Sequence, residues 1–352
     1  MTMSGIAEGR WRGPSLGWGI VGAGGIARRF GTALRSQTAR RLVGVSGRDP
    51  ARLASLAHDL ECSSLTSLDA LLEDDAVDVV YIAVPHHAHA ALAVRVLQAG
   101  KHVLVEKPFA TTEADAAAIA DESRARGLLA MEAMWTRYQP IADVLRDLLE
   151  RSAIGDVIEV SADFGFHLPF DASHRLFDPA VAGGIILDAG VYPVSFISSV
   201  IGVPELVGTA GTIASTGVED TASIHLRRES VVATAFCTSR APTPVRATII
   251  GTQGTIELAP PFIASPSISL RTGGGWGSPG EAEQWQAPRT ESVYDLLGCE
   301  ADALAAFVGQ GLTESPIHTL NETVAIVGVL ERARATILFD GEAAADREGS
   351  PT

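Results

Sequence analysis

Residues 16–27 read LGWGIVGAGGIA, an apolar run that leads directly into glycines. The run predicts a buried strand, and the G-x-G-x-x-A pattern at its end predicts a tight turn that opens a helix. In such a turn Gly22 permits the bend, Gly24 lets a pyrophosphate approach the backbone, and the small Ala27 packs helix against strand. The stretch therefore predicts a dinucleotide-binding fold, whose phosphates would contact Gly22, Gly24, Gly25, Ile26 and Ala27. The alternative is an ordinary strand-to-helix turn in a chain that contains 35 glycines.

The chain keeps this rhythm up to about residue 135. Short apolar runs at 41–46, 77–84, 102–105 and 128–133 alternate with helical segments, which is typical of a parallel sheet covered on both faces. From about 157 to 285, strand-like segments follow one another, with one long helix at about 184–201. The predicted fold class is a Rossmann doubly wound parallel α/β domain followed by an α+β domain built on a mainly antiparallel open sheet.

These patterns predict a dinucleotide-binding domain over 15–137 and a substrate-binding and oligomerisation domain over 138–318. The terminal helix at 319–339 would be free to pack back on the first domain. Residues 1–14 and 341–352 are rich in Gly, Ser, Pro, Ala and acids without periodicity, and are predicted to be loose termini.

The composition excludes several classes of protein. The 352 residues include 42 acidic and 27 basic ones, a net charge of −15, and 46% are apolar, so the chain is neither disordered nor suited to nucleic acid. Three widely spaced cysteines form no disulfide framework or metal knuckle, which favours the cytoplasm. Residues 1–14 lack the apolar core of a signal peptide. The apolar stretch 184–203 contains Asp188, glycines and a proline, which favours a buried helix over a membrane span.

The end of the second strand bears on the choice of cofactor. An NAD site usually carries an acid here for the ribose 2′-hydroxyl, whereas this chain reads Ser46-Gly47-Arg48 and places Asp49 one position later. A guanidinium binds a 2′-phosphate bidentately, so Ser46 and Arg48 predict a preference for NADP(H) with NAD(H) still possible. The alternative is a solvated Arg48 with Asp49 on the ribose.

Three histidines, His86, His87 and His89, follow the strand at 77–84. One short loop seldom offers tetrahedral geometry, and no Cys or Glu lies nearby, so a metal site is not predicted. We interpret the loop as a polar wall at the carboxyl edge of the sheet, with Pro85 and His89 beside the cofactor.

Several longer stretches resemble one known family. The sequences YIAVP-x-x-x-H (81–89), AGKHVLVEKP (99–108) and GGIILDAGVYP (183–193), together with the glycine turn, resemble the Gfo/Idh/MocA oxidoreductases over nearly the whole chain. MEAMWTRY (131–138), RLFDP (175–179) and ESP (314–316) are similar to its branch of dimeric dihydrodiol dehydrogenases and NADP-dependent xylose dehydrogenases.

The resemblance implies catalytic roles for Lys107, Asp188 and Tyr192, with Glu106 and Lys107 also at the cofactor. Lys107 is expected to precede a cis proline, and Tyr192 takes a position that is often His in the family. Asp188 would bind the substrate and hold Lys107, while Tyr192 exchanges a proton with a hydroxyl or carbonyl group. The alternative for Asp188 and Tyr192 is a core helix with a paired acid and a buried phenol.

The lysine count supports Lys107 independently of the family. Of the 27 basic residues only Lys101 and Lys107 are lysines, and arginine would serve on a surface but cannot release a proton. Lys101 lies at a predicted helix C-terminus, where a contact with the helix dipole is sufficient explanation.

The predicted function is hydride transfer between NADP(H) and a hydroxyl or carbonyl carbon of a sugar, polyol or cyclic diol. Trp135, Arg137 and Phe166, with Asp188 and Tyr192, are predicted to line the substrate pocket, although ordinary packing would also place aromatic residues there. Two alternatives are a nicotinamide-dependent glycoside hydrolase of the same family and a non-catalytic NADP-binding sensor. Relatives lead us to expect a homodimer or homotetramer formed through the C-terminal sheet.

Overall fold

The computed structural model describes residues 11–65, 67–274 and 280–348, and the chain divides into two compact units. Residues 11–139 together with Arg289–Val324 are called the Rossmann unit here. Pro140–Pro288 together with residues 325–348 are called the sheet unit.

The Rossmann unit is built on a parallel sheet with strand order β3-β2-β1-β4-β5-β6. Its strands are β1 (Gly17–Val21), β2 (Arg41–Ser46), β3 (Ser63–Leu65), β4 (Val79–Ile82), β5 (His102–Glu106) and β6 (Ala130–Ala133). Its first helices are α1 (Gly25–Gln37), α2 (Pro50–Asp59), α3 (Leu68–Leu72), α4 (His89–Gln98) and α5 (Glu113–Arg126). The strand order reverses between β1 and β4, and in such sheets a ligand binds beyond the carboxyl ends of the strands at this point.

The sheet unit is built on a mixed sheet with strand order β14-β13-β12-β11-β7-β10-β9-β8. Its strands are β7 (Val157–Gly165), β8 (Glu205–Ile213), β9 (Glu219–Arg228), β10 (Val231–Thr238), β11 (Ala247–Gly251), β12 (Gly254–Leu258), β13 (Ser267–Thr272) and β14 (Glu281–Gln286). Helix α6 (Pro140–Glu150) packs on β13 and β14, and α7 (Val191–Ile201) packs on β7 and β10. β7 and β10 pair in parallel and the other neighbours pair antiparallel. The predicted fold class is confirmed.

The helix α8 (Leu297–Gly309) corrects the predicted extent of the second domain, because it belongs to the Rossmann unit. It packs against α1, the Phe307 ring meets the edge of Trp11 at 5.2 Å, and Asp302 bonds the Arg40 guanidinium at 2.9 Å. A linear division of the sequence at 138–318 misses this return of the chain.

The last helix, α9 (Leu320–Glu348), also differs from prediction. Its residues from Ala325 belong to the sheet unit, and it continues past the predicted end at 339. The predicted loose tail is wrong as far as Glu348, since the Ala- and Glu-rich sequence that follows has high helix propensity. Residues 1–10 and 349–352, which the predicted loose termini include, lie outside the described residues.

Within the described residues, one helical segment, Pro179–Ile201, is long and apolar enough to cross a membrane. Most of it is buried inside the fold, as in the core helix of a folded domain.

Candidate active site

The turn between β1 and α1 leaves room for a bound anion. Gly22 has φ +123°, its N–H donates to the Ser46 carbonyl at 2.8 Å, and a Cβ there would lie 2.1 Å from the Ala83 carbonyl oxygen. A Cβ on Gly24 or Gly25, in contrast, would meet nothing within 4 Å. The N-terminus of α1 therefore has no side chains at Gly24 and Gly25, where the sequence predicts a pyrophosphate. The residues present fit a dinucleotide.

The structure separates the roles of the two charged residues after β2. Asp49 caps α2, since one carboxylate oxygen accepts from the backbone N–H groups of Ala51 and Arg52 at 3.0 and 3.1 Å. Arg48 is exposed one position earlier. Asp49, the acid that could otherwise bind the ribose of NAD, is thus engaged in capping the helix. The Arg48 guanidinium remains exposed after the end of β2.

The histidine loop after β4 holds the backbone around Lys107. The His89 ring places Nδ1 2.8 Å from the Pro108 carbonyl oxygen and Nε2 2.8 Å from the Val84 carbonyl oxygen. Burial, with a smaller effect of the Lys107 charge, lowers the pKa of His89 although both carbonyls oppose this. His89 therefore ties the loop after β4, where Pro85 lies, to the segment after β5.

Lys107 follows β5 directly and is half-buried, and the Lys107–Pro108 bond is cis, as predicted. Lys101 differs from the prediction of a dipole contact alone. Its ammonium group donates to the carbonyl oxygens of Asp74 at 3.2 Å and Val77 at 2.8 Å, so that it closes a loop. Lys101 therefore has a structural role between these two carbonyl groups.

In the sheet unit, a π-helical turn, Ile186–Gly190, precedes α7 and carries Asp188. The other residues of this turn are buried, whereas the Asp188 side chain is 13% exposed. Tyr192 lies in the first turn of α7 and is 9% exposed. Such π turns occur frequently at functional sites, and this one replaces the regular helix predicted from residue 184.

Asp188 is paired with Arg175, a residue that sequence reasoning did not single out. An Arg175 Nη2 donates to Asp188 Oδ1 at 3.0 Å, and the Arg175 side chain remains half-exposed. Arg175 begins a single 3-10 turn, and the Gly184 N–H donates to the Leu176 carbonyl at 2.8 Å. This closure places a cation beside the predicted catalytic acid.

A second ion pair, between Glu219 and Arg334, holds the backbone at and just before the π turn. The buried Glu219 Oε1 accepts from the Ile186 N–H at 3.3 Å and from Arg334 Nε at 3.0 Å. Arg334 Nη2 also donates to the Gly183 carbonyl at 2.9 Å, and a Cβ on Gly184 would lie 2.3 Å from Glu219. Sequence reasoning missed both residues, because they lie in a strand and a helix far from the GGIILD stretch.

The predicted pocket residues fall in two places. In the sheet unit the Tyr192 ring meets Phe164 edge-on at 5.3 Å, and Phe164 meets Phe166 at 6.2 Å, so Phe166 continues an aromatic row from Tyr192. In the Rossmann unit Trp135 is buried, and Arg137 is only 7% exposed and donates to Glu322 at 2.7 Å. The structure thus pairs Arg137 within its own unit, since a buried guanidinium requires a partner.

Two comparisons with known proteins agree with this architecture. Residues 16–134 match the oxidoreductase family model with an NAD-binding Rossmann fold, and residues 143–257 match the Gfo/Idh/MocA C-terminal domain. The trans-1,2-dihydrobenzene-1,2-diol dehydrogenase of Bos taurus is 34% identical over 92% of this chain and 97% of its own length. The chain belongs to the Gfo/Idh/MocA oxidoreductase family. The Homo sapiens enzyme of the same name is 31% identical over the same shares.

Solved structures of other proteins share this fold. A 3-ketoreductase from Actinomadura kijaniata, KijD10, solved with NADP and TDP-benzene, has a TM-score of 0.79 and 26% identity over 92% of this chain and 98% of its own. A levoglucosan dehydrogenase, solved with NADH and levoglucosan, has a TM-score of 0.82 and 17% identity over 92% and 97%, which shows the fold alone. As a member of the Gfo/Idh/MocA family, the chain is a nicotinamide-dependent oxidoreductase with a Rossmann cofactor domain.

Proposed function

We propose that this Gfo/Idh/MocA oxidoreductase transfers a hydride between NADP(H) and a hydroxyl or carbonyl carbon of a sugar, polyol or cyclic diol. The observation that carries the proposal is a set of three side chains that can exchange protons, each of which lies at or near the end of a strand or helix. Lys107 directly follows β5, and Asp188 and Tyr192 lie where the π turn meets α7. The named dehydrogenases and ketoreductases among its relatives support this reaction class.

The cofactor, when bound, supplies or accepts the hydride at its nicotinamide ring. The bare N-terminus of α1 would hold the pyrophosphate, and Arg48 would hold the 2′-phosphate as a bidentate donor. The engagement of Asp49 in capping α2 supports NADP over NAD.

The chain's own groups would handle the proton and orient the substrate. In the oxidation direction the substrate hydroxyl would lose its proton to the Tyr192 phenolate or the neutral Lys107 amine, and in reduction the resulting phenol or ammonium group would return it. Asp188, which is paired with Arg175, would accept a hydrogen bond from a neighbouring substrate hydroxyl. This requirement for a second hydroxyl favours polyols and cyclic diols over simple alcohols.

The test compares Lys107→Ala and Tyr192→Phe with the wild type on aldoses, inositols, anhydrosugars and dihydrodiols, with NADP and NAD in parallel. Loss of a proton-transfer group is expected to lower kcat by about 100-fold or more in each variant. NADPH binding, followed by its fluorescence, should be nearly unchanged in Tyr192→Phe. Full turnover in either variant would refute the assignment of that residue.

The same assay separates the alternatives. A glycoside hydrolase would retain the cofactor and turn over without net change in nicotinamide absorbance, and a sensor would bind NADPH without turnover of any substrate. Three free cysteines in the described residues are compatible with the reducing cytoplasm that we propose as its location.

We also propose that the enzyme forms a homo-oligomer through the open face of its eight-stranded sheet. Val232 and Ile250 flank Glu159 in register on neighbouring strands, and their side chains are 53% and 40% exposed. Neighbouring exposed apolar side chains on one sheet face are a feature of surfaces that another protein covers.

A further inference from the structure

The peptide group that joins Pro108 to Phe109, directly after Lys107, is held from both sides. The Pro108 carbonyl oxygen lies 2.8 Å from Nδ1 of the His89 ring. The Phe109 N–H donates to Oε1 of Glu132 at 2.9 Å, and Phe109 and Glu132 are both buried. Because this peptide group is bonded at its oxygen and at its nitrogen, the backbone next to Lys107 is fixed in orientation.

Glu132 reaches this peptide group from the neighbouring strand β6. It pairs in register with Val105 on β5, so its side chain starts beside the end of the strand that leads to Phe109. Its second carboxylate oxygen, Oε2, lies 2.8 Å from Nε2 of His318, whose side chain is fully buried. Both oxygens of Glu132 are thus engaged, one by the backbone after Lys107 and one by the His318 ring.

Two further charged side chains continue this contact beyond His318. Nδ1 of its ring lies 3.4 Å from Oε2 of Glu322, and Nη2 of Arg137 donates to Oε1 of Glu322 at 2.7 Å. Burial and the Arg137 charge lower the pKa of His318, but its interactions with Glu132 and Glu322 outweigh them and raise it. Glu132, His318, Glu322 and Arg137 therefore alternate in sign, and we call these four side chains the ion network.

The ion network is balanced, because it contains two carboxylates and two cations. A buried charge that loses its partner destabilises the fold strongly, so each group restrains the orientation of the next. The Glu132 carboxylate cannot turn away without separating its charge from that of His318. This restraint keeps its other oxygen on the Phe109 N–H.

The stretch ESP (314–316) sets the position of His318. The Ser315 hydroxyl oxygen accepts from the His318 N–H at 3.2 Å and from the Tyr138 hydroxyl at 2.9 Å, and Ser315 is fully buried. Tyr138 ends the stretch MEAMWTRY (131–138), which also supplies one acid and the arginine of the ion network. Two stretches that lie far apart in the sequence therefore meet around His318.

We propose that Glu132 is a positioning residue for Lys107. Oriented by His318, its carboxylate holds the Phe109 N–H and so fixes the backbone segment that carries the lysine. The Lys107 amine must lie within hydrogen-bond reach of the substrate oxygen to exchange a proton with it, and a misplacement by about 1 Å can lower a rate by roughly 100-fold. The inference rests on the proposed catalytic role of Lys107.

The first test separates the hydrogen bond of Glu132 from its charge. Methionine has nearly the length of glutamate but removes the acceptor for the Phe109 N–H, so Glu132→Met should lower kcat by roughly 100-fold with NADPH binding nearly unchanged. Glu132→Gln keeps a carbonyl oxygen for this N–H and an amide that can donate to a neutral His318, so it should retain most of the wild-type kcat. An unchanged kcat in Glu132→Met, or an equal loss in both variants, would overturn the proposal.

The matched control is Asp302→Leu, which breaks another ion pair of the Rossmann unit. The Arg40 side chain is only 6% exposed and donates to Asp302 at 2.9 Å. This variant should lose stability but keep its kcat, and a loss of kcat as large as in Glu132→Met would show general destabilisation instead of positioning. If Glu132→Met does not fold, adding His318→Leu removes the opposite charge as well and leaves the rest of the ion network paired. The double variant should show the same loss of kcat, and an unchanged kcat there would equally contradict the proposal.

The second test needs no turnover, because the chain contains only two lysines, Lys101 and Lys107. Protein saturated with NADPH and labelled with carbon-13 at lysine Cε should give two NMR signals, and Lys107→Ala identifies the one from Lys107. Glu132→Met should shift and broaden that signal, whereas Glu132→Gln and Asp302→Leu should leave it in place. The Lys101 signal is the internal reference, since its ammonium group is held by two backbone carbonyl oxygens.

The NMR and kinetic results together distinguish the positioning role from the proposed function. If the Lys107 signal responds to Glu132→Met but the wild type turns over no substrate, the proposed function fails while Glu132 still positions the lysine. If turnover depends on Lys107 but the signal and kcat are the same in Glu132→Met as in the wild type, the positioning role fails alone. An equal shift of the Lys101 signal would indicate a change throughout the unit and would also overturn the positioning role.

Discussion

At the scale of single residues, cofactor choice depends on which of two adjacent charges is free. Asp49 is engaged in capping α2, and Arg48 is exposed at the end of β2. Arg48→Asp should therefore lower the ratio of kcat/KM for NADP over NAD by roughly 100-fold, because a charge-assisted bond is lost and a repulsion to the 2′-phosphate is introduced.

The matched control for Arg48 is Asp49→Ser. Serine caps a helix almost as well as aspartate, so the fold is kept while the carboxylate is removed. If Asp49 served the ribose instead, this variant would weaken NAD use and Arg48→Asp would leave the cofactor preference unchanged. Michaelis constants for both cofactors in both variants decide between the two assignments.

At the scale of elements, a buried ion pair holds the segment that leads into the π turn with Asp188 and the helix α7 with Tyr192. Glu219 has a fully buried side chain and Arg334 is 18% exposed, and together they bind the backbone at Gly183 and Ile186. Arg334→Met should lower the free energy of unfolding by about 3–5 kcal/mol, because it leaves the Glu219 charge buried without a partner. Arg126→Met, which breaks an exposed pair with Glu122, should cost no more than about 0.5 kcal/mol.

The sign of the pH dependence distinguishes an unpaired charge from lost packing at this site. Burial raises the pKa of Glu219 even with Arg334 present. Removing Arg334 raises the pKa further, so the folded protein binds a proton more readily than the unfolded chain as pH falls. The loss of unfolding free energy in Arg334→Met, relative to the wild type, should become smaller as the pH falls. Adding Glu219→Gln to the Arg334→Met variant should restore stability at neutral pH. Denaturation at several pH values measures this, and a deficit that is constant with pH would indicate packing alone.

How far the sequence predicts these elements depends on whether a residue acts locally. The glycine turn, five of the six strands described in the parallel sheet and the Lys107 position follow from short patterns, whereas the three-residue β3 is not among the predicted runs. The edge strand β14 carries EAEQWQ, whose polar and exposed residues give no strand periodicity. Glu219 and Arg334 become recognisable only when the fold brings them against the backbone at Gly183 and Ile186, which no spacing in the sequence predicts.

At the scale of the whole molecule, the open sheet face should decide the oligomeric state. Val232 and Ile250 flank Glu159 on this face, and charges there would have to be buried in an interface. The double variant Val232→Lys with Ile250→Lys should therefore be monomeric by sedimentation velocity, where the wild type is a dimer or tetramer. Val293→Lys, at an equally exposed side chain of the Rossmann unit, should leave assembly unchanged. A double variant that sediments like the wild type would show that another surface joins the subunits, because Glu159 could neutralise only one of the two ammonium groups buried in each subunit.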